Sequence, residues 1–149
     1  MGDDIVGMFA KSQSEMIVGS VGEWDGELRA DLRTALPSVD GDGSLVMTKK
    51  GVSVPVGLFD EVVKALGKLN GLAASRAIGG RIPKGTGTEI RVSLEPYGGD
   101  VYCHVRTYFT KKESPGRGIA VRAAMLPQLI ELAERMAEEI RARTRDPKL

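Results

Sequence analysis

The chain has 149 residues, of which 42% are hydrophobic, and a formal net charge of +1. It contains no apolar run approaching the roughly 18 residues that a membrane span needs, and its acidic start, Met1-Gly-Asp-Asp, lacks the positive charge of a secretory signal. We therefore expect a cytoplasmic protein, nucleoid-associated if bacterial, that does not associate with membranes. One cysteine, Cys103, and one histidine exclude an intrachain disulfide and a zinc-ligand set of usual spacing, so we expect no metal and no cofactor.

The near-neutral total conceals a charge difference between the two halves. Residues 1–75 hold 7 Lys and Arg against 11 Asp and Glu, a net charge of −4, whereas residues 76–149 hold 14 against 9, a net charge of +5. A chain polarised in this way can present its basic half to a polyanion although its total charge is small. Ordinary surface variation explains the same numbers equally well.

In chain order, the first predicted unit spans residues 15–70. Residues 15–36 predict two strands joined at Asp25-Gly26, because the favoured two-residue hairpin turns need positive φ angles. After a loop, a basic, glycine-led strand follows from Lys50, and a helix that stops at Asn70-Gly71 closes the unit. The apolar stripe of this helix consists of Leu58, Val62, Val63, Leu66 and Leu69.

A linker and a second copy of the pattern follow. Residues 71–87 are rich in glycine, which is typical of a linker. With an offset of 73 residues, Glu15–Leu36 falls on Thr88–Phe109, and Gly98-Gly99 takes the place of the first turn. An offset of 67 then matches the later strand and helix, so the second unit spans residues 88–142. Its helix carries the apolar stripe Leu126, Leu129, Ile130, Ala133, Met136 and Ile140.

These units predict an α+β fold made of two repeats, each a four-stranded antiparallel sheet followed by a helix. A copy of about 55 residues is marginally stable alone, because small domains bury proportionally little surface. We therefore expect the two helices to pack together in a pseudo-twofold intramolecular dimer, so that a monomer acts as a pseudo-dimer.

The open face of the second sheet is the predicted binding surface. Strand alternation places two sets of side chains on opposite faces: Val101, Cys103 and Val105 towards the helix, and Tyr102, His104, Arg106 and Tyr108 outwards. Aromatic rings interleaved with cations suit a platform for unpaired bases, because every base has a π-face and every nucleotide a phosphate.

The second unit resembles the positive cofactor four family of transcriptional coactivators, single-stranded DNA-binding domains related in fold to the Whirly proteins. The resemblance rests on Tyr97-Gly-Gly-Asp-Val-Tyr-Cys-His-Val-Arg-Thr-Tyr-Phe109 and on Pro115-Gly-Arg-Gly-Ile-Ala-Val121. The first unit keeps Trp24-Asp-Gly, Arg33 and Lys49-Lys50-Gly-Val-Ser-Val but has Ala35 and Leu36 in place of the aromatic pair.

The resemblance implies a dimer of modules whose curved sheets form a channel for unpaired DNA. It implies a binding protein without catalysis that acts in transcription regulation or in DNA replication and repair, with transcription or replication proteins as possible partners. The candidate nucleic-acid-binding residues are Trp24, Arg33, Lys49, Lys50, Tyr97, Tyr102, Arg106, Tyr108, Lys111, Lys112 and Arg117.

Three alternatives stay open at this point. The nucleic acid can be RNA instead of DNA. The chain can instead be a protein-interaction module of the same fold, with its acidic half as the docking surface. An enzyme is poorly supported, because the sequence offers no nucleophile with a base at motif spacing, and His104 fits a polar surface residue better than a catalyst.

Overall fold

A computed structural model describes residues 3–144, which form two consecutive units of the same composition. The first unit consists of β1 (Asp3–Ala10), β2 (Met16–Trp24), β3 (Glu27–Pro37), β4 (Leu45–Pro55) and α1 (Val56–Leu69). The second consists of β5 (Ala77–Gly85), β6 (Thr88–Tyr97), β7 (Asp100–Phe109), β8 (Ser114–Arg122), a 3-10 turn (Ala123–Met125) and α2 (Leu126–Thr144). The strands form two antiparallel sheets in the orders β1-β2-β3-β4 and β5-β6-β7-β8, which confirms the predicted α+β fold.

Both predicted hairpin turns are present. Asp25 and Gly26 have φ angles of 53° and 77°, and Gly98 and Gly99 have φ angles of 60° and 86°. These positive values are those that the tight turns between paired strands require. The turns fix the register of β2 on β3 and of β6 on β7, and this register decides which side chains share a face.

Each unit begins one strand earlier than the predicted repeat. The first strand, β1, precedes residue 15, and β5 lies inside residues 71–87, the range predicted as a linker. The glycine content of that range has a packing cause: a Cβ on Gly79 would come within 2.5 Å of the carbonyl oxygen of Ala65, and a Cβ on Gly80 within 2.8 Å of the Cβ of Ala65. Glycine therefore lets α1 lie directly on β5, and a strand with this composition looks like a linker in the sequence.

Each helix packs across the sheet of the other unit. Helix α1 contacts β5 and β6, helix α2 contacts β1 and β2, and the helices contact each other. Under α2, Gly19 faces Leu132 and Met136, which occupy the space that a larger side chain would need. The predicted helical stripes are largely buried, and they join the inner faces of both sheets in one hydrophobic core. No helix within residues 3–144 is long and apolar enough to cross a membrane.

Candidate nucleic-acid interface

The second sheet has one face in the core and one open face, as strand alternation predicts. Cys103 and Val105 are fully buried against the helices, whereas their neighbours on β7 are half-buried on the other side. The open face combines alternate residues of two paired strands: Glu89, Arg91, Ser93 and Glu95 on β6 with Tyr102, His104, Arg106 and Tyr108 on β7. Burial raises the pKa of the Cys103 thiol to about 12, so this cysteine is an inert core residue.

An arginine and a tyrosine stack at one end of this face. The guanidinium carbon of Arg91 lies 3.5 Å from the centroid of the Tyr108 ring, a cation–π contact. The same guanidinium is held by Glu89, whose Oε2 accepts hydrogen bonds from Nε at 2.9 Å and pairs with Nη2 at 2.7 Å. Glu89 therefore fixes the position of the Arg91 guanidinium over the Tyr108 ring.

Glu89 anchors two arginines at once. Its Oε2 also accepts a hydrogen bond from Nε of Arg81 at 3.0 Å, and its side chain is only 8% exposed. Burial alone raises the pKa of Glu89, but the hydrogen bonds from Arg91 and Arg81 outweigh burial and leave the pKa below its ordinary value. The charged carboxylate of Glu89 therefore holds the side chains of Arg81 and Arg91 on the open face.

Arg106 occupies the middle of the face. Its Nη1 donates to the carbonyl oxygen of Gly116 at 3.4 Å, and its Nη2 is bonded to Nδ1 of His104. Because arginine only donates hydrogen bonds, Nδ1 of His104 is the acceptor, and the imidazole is neutral. Burial lowers the pKa of Arg106. Among residues 3–144 no carboxylate forms an ion pair with Arg106, so its charge faces the groove uncompensated by direct contact.

Two neighbouring grooves cover this face. One, of about 400 Å³, includes Arg91, His104, Arg106 and Tyr108 in its lining. The other, of about 520 Å³, runs between Tyr97 and Tyr102 and the β1–β2 turn of the first unit, from which Lys11 lines it. The rings of Tyr97 and Tyr102 meet edge to face, with centroids 6.2 Å apart and planes at 71°. The open face thus extends from Tyr108 to Tyr97 and has a wall supplied by the other unit.

The open face of the first sheet has the same strand order and different chemistry. Nε and Nη2 of Arg33 donate to Oδ2 and Oδ1 of Asp31 at 2.9 and 2.7 Å, and Nη1 donates to the carbonyl oxygen of Thr48 at 3.0 Å. Arg33 is therefore engaged by a bidentate carboxylate. The groove beside it, of about 440 Å³, is lined by Ile5, Val18, Ser20, Trp24, Asp31, Arg33 and Met47.

The structure brings together only part of the predicted site. Tyr97, Tyr102, Arg106 and Tyr108 share the open face of the second sheet, whereas Trp24 and Arg33 line the groove of the first. The remaining candidates are exposed and lie outside the lining of these grooves: Lys49 and Lys50 on β4, Lys111 and Lys112 in the turn after β7, and Arg117 on β8.

Sequence reasoning missed Arg81, Glu89 and Arg91. The signal was present in β6, where Glu89, Arg91 and Ser93 alternate with apolar residues as strictly as the residues of β7 do. Comparison with models of known protein families and with curated protein sequences finds no match for this chain.

Proposed function

We propose that this chain binds single-stranded nucleic acid, DNA by preference, on the open face of the second sheet, and that it acts without catalysis in transcription regulation or in DNA replication and repair. The observation that carries the proposal is the fixed stack of Arg91 on Tyr108 beside Arg106. A planar guanidinium and aromatic rings offer surfaces for base stacking, and the charge of Arg106, which forms no ion pair with a carboxylate within residues 3–144, suits a phosphate.

The preference for unpaired strands follows from the geometry of the face. In a duplex the base faces are stacked on each other, so rings lying on a sheet surface cannot stack on them. Tyr97, Tyr102 and the Arg91–Tyr108 stack then gain nothing from their flat faces, whereas an unpaired strand can lay successive bases against them. Single strands should therefore bind more tightly than a duplex of the same sequence.

The proposal includes a pseudo-twofold arrangement of two repeats of the kind that the positive cofactor four resemblance implies. Equivalent elements make equivalent contacts: α1 with β5 and α2 with β1, and β4 with β8. Lys11 and Lys84, which are related by the offset of 73 residues, each interact electrostatically with a basic residue of the other unit. The pKa of His104 is lowered first by burial and then by Arg106, Glu95 opposes this, and Lys11 of the other unit adds the smallest lowering. The pKa of Lys84 is lowered first by burial and then by Arg29 of the other unit.

Expression of residues 76–149 alone tests this arrangement. Without the first unit, Leu132 and Met136 of α2 lose their packing against Gly19. The fragment should be unfolded by circular dichroism or should self-associate in sedimentation. A folded, monomeric fragment would show that the two units do not depend on each other.

A protein-interaction module of the same fold is the second candidate, favoured by the apolar character of the first open face. Ile5, Met8, Trp24 and Met47 are 50%, 41%, 38% and 45% exposed, respectively. Exposed apolar side chains that share one surface are typical of protein contacts. This candidate predicts weak nucleic-acid binding that depends little on salt.

One titration separates the two candidates. A labelled mixed-sequence DNA strand, its duplex and the RNA strand of the same sequence are titrated with the chain at about 50 and 200 mM salt, a range over which phosphate contacts weaken binding strongly. We expect the DNA strand to bind most tightly and to lose affinity as salt rises. Equal or tighter binding of the duplex, or no salt-dependent binding, would reject the proposed function.

A further inference from the structure

The two open faces differ at corresponding positions, although the two sheets have the same strand order. With the offset of 73 residues, Arg33 corresponds to Arg106 and Asp31 to His104. Three other positions also change their chemistry: the second face has Arg81, Arg91 and Tyr108 where the first has Met8, Val18 and Ala35. The first face therefore has an arginine at the same central position, and the residues around it are apolar or acidic.

Asp31 occupies the place that a phosphate would take on Arg33. Its two carboxylate oxygens lie 2.9 and 2.7 Å from Nε and Nη2, the bidentate geometry in which arginine also binds phosphate. The side chain of Asp31 is only 10% exposed. A phosphate that displaced this carboxylate would leave a buried charge without its partner, and that costs more free energy than an exposed contact returns.

We infer that the carboxylate of Asp31, by binding Arg33, blocks a second nucleic-acid site on the first face. One chain therefore binds one strand, and it does so on the second face. The inference rests on the proposed function of the second face. Asp31 then determines how many binding sites the chain has. Arg33 is the group that would bind phosphate on the first face if the charge of Asp31 were removed. The matching arginine of the second face has a neutral imidazole beside it instead of a carboxylate.

The test compares the wild-type chain with Asp31→Asn, which keeps the side-chain shape and removes the charge. Glu61→Gln is the matched control, because it removes one negative charge from α1 of the same unit, away from Arg33. Each chain is titrated with an oligothymidylate of about six nucleotides, a length that one small single-strand-binding domain can cover, so that each strand occupies one face. Calorimetry gives the number of strands bound per chain, and the emission of Trp24, the sole tryptophan, reports on the first face.

We expect the wild type and Glu61→Gln to bind one strand without a change in Trp24 emission, and Asp31→Asn to bind two strands with a change in emission. Two strands on the wild type, or one strand on a folded Asp31→Asn chain, would overturn the inference while leaving the proposed function intact. If the wild type binds no strand, the proposed function fails. The role of Asp31 is then rejected as well unless Asp31→Asn alone binds.

The reverse substitution keeps the inference testable if Asp31→Asn does not fold. His104→Asp places a carboxylate beside Arg106, as Asp31 lies beside Arg33, and should lower the affinity of the second face about tenfold or more. His104→Asn, which has the shape of the Asp variant without its charge, is the comparison and should bind at least about tenfold more tightly than His104→Asp. Equal binding by the two variants would show that a neighbouring carboxylate does not close an arginine site on this sheet.

Discussion

Arg106 and Gly118 lie directly opposite each other in the β7–β8 ladder, and glycine at this position leaves the space that Arg106 occupies. A Cβ on Gly118 would overlap the Cβ of Arg106 and the carbonyl oxygen of Val105. The first sheet repeats the relationship, because Arg33 lies opposite Gly51 in the β3–β4 ladder. Both halves therefore have an arginine whose side chain needs a glycine at the opposite position of the next strand.

Replacing Gly118 with alanine should destabilise the chain more than the same change at Gly51. At Gly118 the added carbon meets backbone atoms, which move only with the strands, whereas at Gly51 it meets Cγ, Nε and Cζ of the Arg33 side chain at 2.7 to 2.9 Å. We expect Gly118→Ala to lower the free energy of unfolding by about 1–3 kcal/mol and Gly51→Ala by less. Urea unfolding of both variants measures the difference, and equal losses would contradict the prediction.

Removing the ring of Tyr108 should weaken binding of a single strand. If one base stacks on the Arg91–Tyr108 pair, Tyr108→Leu should cost about 1–3 kcal/mol of binding free energy. Tyr108→Phe keeps the ring below Arg91 and should bind within a few-fold of the wild type. The dissociation constants for an oligothymidylate give both values. A Leu variant that binds like the wild type would remove Tyr108 from the site.

The sequence predicted the features that depend on residues close together along the chain. The hairpin turns follow from Asp25-Gly26 and Gly98-Gly99, and the two faces of β7 follow from the strand period of two. Strand β5 was not predicted, because Gly79 and Gly80 respond to the approach of Ala65, a residue that the fold brings near them.

The list of candidate residues predicted from the sequence omits Arg91 for the same physical reason. Arg106 and Tyr108 could be placed on one face from alternation alone. The stack of Arg91 on Tyr108 and the engagement of Arg33 by Asp31 depend on side-chain rotamers and on strand register. Charge counting indicated that the first half is the more acidic one, but only the structure assigns Asp31 to Arg33.

The folded state should lose stability at mildly acidic pH through His104. Burial, followed by the positive charge of Arg106, lowers the pKa of His104 below its ordinary value of 6.5; Glu95 acts in the opposite direction and Lys11 in the same direction. A lowered pKa means that the unfolded chain binds the proton more tightly. The stabilisation is therefore complete above about pH 6.5 and is lost as the pH falls through the lowered pKa of the folded state.

Urea unfolding between about pH 7.5 and 5 measures this dependence. The wild type should lose more stability over this interval than His104→Gln, which has no imidazole to protonate. Because the sequence has one histidine, its imidazole NMR signals also give the pKa directly. A pKa above the ordinary value, or parallel stability curves for the two proteins, would contradict the predicted direction.

Binding should depend on the two central arginines unequally, although they occupy corresponding positions. Arg106 forms no ion pair with a carboxylate within residues 3–144 and lies beside Arg91 and Tyr108. Arg106→Ala should therefore weaken single-strand binding. It should also reduce the slope of log affinity against log salt concentration by about 0.7, the contribution of one phosphate. Arg33→Ala should leave the affinity and the slope nearly unchanged, because Asp31 already occupies Arg33. Arg33→Ala also leaves Asp31 buried without its partner, so thermal unfolding must establish that this variant is folded.

Titration of a labelled strand at several salt concentrations gives both slopes. Equal losses of affinity and slope in two folded variants would mean that both faces bind the strand and that the charge difference between the halves serves some other purpose.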